Sequence, residues 1–155
     1  RSSSRLPGLI LQPRDLHLMH LIHEHRFARS DHLHALTHPA LSLRALQSRL
    51  KKLYTHGYVK RLYVPVVLDG EHAPLAHSRQ PIYTLTARGL RLLEEGNFTA
   101  KGGVKPVEER PSVNFLAHHL VVTDYLVALR AASQNHPVTI VRGQAESHLR
   151  VALSS

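Results

Sequence analysis

Leu41 to Leu62, LSLRALQSRLKKLYTHGYVKRL, is the stretch whose reading decides the fold. Ser42 offers a hydroxyl for an N-cap, Leu43, Leu46, Leu50 and Leu53 recur at helical spacing, and Gly57 stands where a helix end wants a residue tolerant of positive φ. The stretch therefore reads as a helix, a glycine stop and a strand, with the leucine side as core. On a helical wheel the opposite side carries Arg44, Ser48, Lys51 and Thr55, flanked by Gln47 and Lys52, and no acid is among them. From His32 to Leu68 there is no Asp or Glu at all, while Arg44, Arg49, Lys51, Lys52, Lys60 and Arg61 fall inside. Such a face suits an anion: Arg, Gln and Ser on a helix can bond base edges, and flanking Lys and Arg can neutralise phosphates. An isolated basic helix is about as often merely solvated, so the neighbouring segments have to decide.

Toward the N-terminus, residues 1–12 read as a polar, flexible lead with a short apolar patch at Leu9 to Leu11, and little function is expected of it. Pro13 opens a helix in PRDLHLMHLIHEHRF, with Asp15 complementing its dipole and Leu18, Met19 and Ile22 as its apolar stripe. Ser30 or Asp31 caps a second, shorter helix, SDHLHALTH, which Pro39 closes. With the basic helix third, this is a helix-turn-helix order whose last helix is the candidate for a major groove.

Toward the C-terminus the period changes to two. YVKRLYVPVVL and PIYTL read as two strands of a hairpin, joined by a long tip near residues 69 to 80 that carries His72, His77 and Arg79. Thr86 caps the next helix, TARGLRLLEEG, which Gly96 ends. Residues 13–96 thus form a winged helix-turn-helix domain, mainly α with a small β-hairpin. Residues 97–111 read as a linker rich in Gly, Lys, Glu and Pro, and 112–155 as a C-terminal extension. Its helix, SVNFLAHHLVVTDYLVALRAAS, has Val113, Leu116, Leu120 and Val127 on one side and Phe115, Val122, Leu126 and Leu129 on another, so it is expected to bury more than one face. The first set is assigned to dimerisation. VTIVRG reads as a final strand.

With 155 residues the chain can hold one compact domain and an extension. A formal charge of +9, with 14 histidines in reserve, favours acidic partners. No apolar run reaches the roughly 18 residues of a membrane span, and a cytoplasmic, nucleoid- or plasmid-associated protein is expected. The absence of cysteine excludes disulfides and thiolate zinc sites.

Catalytic signals are sparse. His17, His20 and Glu24 have ligand-compatible helical spacing, but HEH is not a zincin motif and no carboxylate-rich cluster surrounds it, so these read as ordinary surface or half-buried residues. For His118, His119 and Asp124 structural hydrogen bonds are favoured over chemistry. There is no GxGxxG, GxxxxGK[ST] or GxSxG motif. No catalytic residue, metal or cofactor is assigned, and the chain is read as not an enzyme.

Taken together, PRDLHLMHLIHEHRF, SDHL, SLRALQSRLKKLYTHGYVKRL, PIYTLTARGLRLL and HHLVVTDYLVALR resemble the replication-relaxation family of plasmids and integrated mobile elements, over about Pro13 to Arg150. Its most specific parts here are the helix-Gly-strand junction, the YTLTARG signature and the H-x-L-x-x-x-D-x-x-x-A-L-R pattern from His118 to Arg130. The resemblance implies a winged-helix, sequence-specific binder of double-stranded DNA acting in plasmid replication, DNA relaxation or conjugative transfer. Some longer relatives look nuclease-like, and Glu146 matches the first of their acidic positions. The DNA-binding set is Ser42, Arg44, Gln47, Ser48, Lys51, Lys52, Lys60, Arg61, His77 and Arg79, with Arg44, Gln47 and Ser48 as base contacts. A homodimer is expected, with a relaxase or replication initiator as a further partner. The alternatives are a MarR-type transcriptional repressor and an adaptor that recruits such a partner without touching DNA.

Overall fold

The structure, a computed structural model, describes residues 8–63, 80–98, 105–107 and 111–134. Eight elements follow in chain order: α1 (Pro13–His25), β1 (Ala28–Arg29), α2 (Ser30–Thr37), α3 (Leu43–Thr55), β2 (Val59–Leu62), β3 (Ile82–Leu85), α4 (Ala87–Glu95) and α5 (Val113–Gln134). The strands form an antiparallel sheet in the order β1-β3-β2. Three helices, a hairpin and a fourth helix in this order, with a short first strand pairing onto the hairpin, make a winged helix. The two-residue β1 was not legible in the sequence, because two residues carry no period. Only its pairing of Ala28 with Tyr83 and Arg29 with Ile82 defines it. The wing tip with His77 and Arg79, the final VTIVRG segment and Glu146 lie outside the described residues.

The sheet separates two apolar clusters. On one side Leu18, Met19 and Ile22 of α1 meet Leu33, Leu46, Leu50, Leu53, Val59, Tyr83, Leu85 and Leu93. On the other, Phe27 and Ile82 pack against Leu116 and Leu120 of α5, with Val107 at the edge. This corrects the dimerisation assignment: Leu116, Leu120 and Val127 are buried within the protomer, and only Val113 of that set is exposed. A stripe beside a sheet with an uncovered apolar face buries itself there first, since that burial needs no second chain. The outward side of α5 instead shows Val121 and Tyr125, each 65% exposed, together with Leu129.

Polar contacts pin α5 down. Asp124 accepts from Arg29 at 2.8 Å and pairs with the buried His32, Arg130 pairs with Glu24, and the His119 ring meets the His25 carbonyl at 2.8 Å. The Nδ1 of His32 accepts the Arg29 backbone N–H at 3.1 Å, so its Nε2 carries the proton and donates to Asp124. In this way His32, and not Ser30 or Asp31, closes the N-terminus of α2.

The lead differs from expectation as well. Leu9 and Leu11 are partly buried against the first cluster, so residues 8–12 lie on the domain.

Candidate nucleic-acid interface

Capping holds α3 at both ends. Ser42 Oγ accepts the Ala45 N–H at 3.2 Å. At the other end Gly57, at φ 78°, lets its own N–H reach the Tyr54 carbonyl at 3.1 Å and the Tyr58 N–H reach that of Leu53 at 3.0 Å. That pair of bonds is a Schellman ending, which an L side chain at Gly57 would strain. Leu46, Leu50 and Leu53 are fully buried, whereas Leu43, at the stripe's edge, is exposed.

Across the helix Arg44, Gln47, Ser48, Lys51, Lys52 and Thr55 are all exposed. Two hydroxyls are already in use: Ser42 as the cap, and Thr55 donating to the Lys51 carbonyl at 2.8 Å. Arg44, Gln47, Ser48, Lys51 and Lys52 therefore make up the reactive face. Lys60 and Arg61 on β2 are half-buried. The Arg61 guanidinium sits 4.2 Å from the Tyr54 ring centre and 5.6 Å from that of Tyr83, a stack that fixes its direction.

Arg49 leaves the cationic field. It is 9% exposed, its Nε donates to Asp15 at 2.6 Å, and its second donor meets the other Asp15 oxygen, while Asp15 is 0% exposed. The hydrogen bonds that Arg49 donates to Asp15 push its pKa further above its ordinary value, so the charge is permanent but internally neutralised. Asp15 also accepts the Gln12 N–H at 2.8 Å, which makes it the joint of lead, α1 and α3. On the wheel Arg49 borders Leu53 and Leu46, which was the available signal. Its acid partner lies 34 residues upstream and periodicity does not reach it.

The α3-β2 junction is fixed from above by α4. Thr86 caps α4 by accepting the Gly89 N–H at 3.2 Å, and its hydroxyl donates to the Gly57 carbonyl at 2.6 Å. A Cβ at Gly89 would come within 2.2 Å of the Tyr58 carbonyl oxygen, so only glycine allows this approach. Arg88 lies 4.6 Å over the Tyr58 ring. Thr86, Arg88 and Gly89 of YTLTARG are thus a joint that sets the exit of α3.

Among the described residues no group of three His, Asp or Glu side chains is placed to hold a metal, and Glu24 is engaged by Arg130. Among them also, no helix is long and apolar enough to cross a membrane.

A crystal structure of a mutant MarR from E. coli aligns with 75% of this chain and 78% of its own, at 16% identity and a TM-score of 0.45. Comparison with curated proteins gives no match. The family model described as replication-relaxation matches residues 19–148, which include α3, the α4 joint and the whole of α5. On that match the chain belongs to the replication-relaxation family.

Proposed function

We propose that this protein binds double-stranded DNA sequence-specifically through α3, in a replication-related role on a plasmid or mobile element. Family membership and the winged-helix topology support DNA binding connected with replication. One observation carries the finer reading: the solvent face of α3 presents Arg44, Gln47, Ser48, Lys51 and Lys52 with no acidic residue on the helix. In this reading α3 enters the major groove, Arg44, Gln47 and Ser48 meet base edges, and Lys51, Lys52, Lys60 and Arg61 hold phosphates. His77 and Arg79 are the wing's contribution. The role is accessory or regulatory and not catalytic, with a relaxase or replication initiator as the machinery served.

The active unit is a homodimer joined through α5. Support comes from its outward face, where Val121, Tyr125 and Leu129 stand in solvent at helical spacing. Tyr125→Glu is expected to leave the protomer folded and shift sedimentation from dimer to monomer. An unchanged sedimentation coefficient would remove α5 as the contact.

Sequencing the duplex fragments that the purified protein retains at moderate salt tests the main reading. Enrichment of one motif near an origin or transfer origin is expected. Enrichment only at its own promoter would favour a MarR-type repressor. Failure to retain DNA, with capture of an initiator or relaxase intact, would favour the adaptor.

A further inference from the structure

Between the lead and α3 runs a groove of about 640 Å³, lined by Gly8, Leu9, Ile10 and Gln12 on one wall and by Ser48, Lys51, Lys52, Thr55 and His56 on the other, with Arg49 at its floor. We infer that this groove receives the sugar-phosphate backbone of one DNA strand, which makes residues 8–12 a second wall of the interface. The inference rests on the α3 reading and extends it to a segment whose sequence suggested no function.

Three observations carry it. The first is charge: Lys51 and Lys52 open into the groove, no acid lines it, and the buried Asp15 is already matched by Arg49. The second is the conformation of the lead. Leu9 and Leu11 turn onto the domain and Ile10 between them stands 83% exposed, the alternation of an extended chain. Among the described residues nothing covers this apolar, β-branched residue at the rim, whereas the carbon edge of a deoxyribose would. The third is hydrogen bonding: among the described residues the backbone N–H groups of Leu9, Ile10 and Leu11 have no partner. Partnerless backbone donors on one wall of the groove and two lysines on the other are chemistry for a phosphodiester chain. The trough also continues from Ser48 and Lys51, so a duplex seated on α3 would run one strand along it.

Because the chain has no cysteine, Ile10→Cys and Ser48→Cys each give a single attachment point for an aryl-azide photocrosslinker. On a duplex that the protein retains, both are expected to crosslink. Ile10→Glu, at a solvent position, is expected to keep the circular dichroism of the parent and to weaken binding about tenfold or more on specific and random duplex alike, by charge repulsion at a phosphate. Ala131→Glu makes the same charge change beside Arg130, whose partner Glu24 is at the far end of α1 from the lead, and is expected to change affinity less than about twofold. Crosslinking from Ser48→Cys but not from Ile10→Cys, with full affinity in Ile10→Glu, would overturn the groove assignment and leave the α3 reading in place. Crosslinking from neither would overturn both.

Discussion

Single residues decide whether α3 can be held where it is. Asp15 and Arg49 are both buried and satisfy each other, so removing one leaves an uncompensated charge inside the domain. Asp15→Ala is expected to cost about 3 to 5 kcal/mol by urea denaturation, and replacing both by Met and Leu is expected to cost much less than the two single changes together. Additive costs would mean that the pair does not act as a pair. Gly89→Ala is expected to cost about 1 to 3 kcal/mol or more, since the Tyr58 carbonyl lies where the methyl would go.

His25 gives a pH dependence. It is buried with neither ring nitrogen partnered among the described residues, and burial, only partly opposed by Glu24, lowers its pKa from 6.5 to about 4. The unfolded chain therefore takes up this proton first, and stability is fully present above pH 6.5 and falls as the pH drops toward 4. Over that window the loss reaches about 3 kcal/mol. His25→Leu is expected to flatten that part of the stability profile. A profile as steep as the parent's would show that other groups carry it. None of this was legible in the sequence, where His25 is one of 14 histidines and only the packing singles it out.

At the scale of elements, α1 to α4 could be read from the chain because each carries its own local signals: Pro13, Pro39, Ser42, Gly57, Thr86 and Gly96 at the ends, and leucines at helical period between them. What periodicity could not assign was which neighbour each face would meet. The stripe of α5 reads equally well as a dimer seam or as a lid on the sheet, and the outcome depends on Phe27 and Ile82, which lie far away in sequence. The HHLVVTDYLVALR pattern has a physical meaning on the same scale: His119, Asp124 and Arg130 reach His25, Arg29 and His32, and Glu24. Asp124→Ala should therefore loosen α5 from α2. With Asp124 half exposed a loss of about 1 kcal/mol is expected, together with faster amide exchange in α5 and unchanged exchange in α3. Equal acceleration in both helices would point to global destabilisation and away from a local clamp.

For the whole molecule, the arrangement is an acid-free helix face set between an extended lead and a hairpin, backed by a core that uses up Arg49 and leaves the other α3 cations outside. If about four to six phosphates are neutralised per subunit, log K should fall with log salt at a slope of about −4 to −5. A nearly salt-independent affinity would count against the arrangement. The measurement that bears most directly on the central claim compares Arg44→Ala and Lys52→Ala on a selected duplex and on random DNA at fixed salt. Arg44→Ala is expected to cost about 1 to 3 kcal/mol on the selected duplex and much less on random DNA, with Lys52→Ala weakening both alike. If both variants bind every duplex as the parent does, α3 is not the surface that meets DNA.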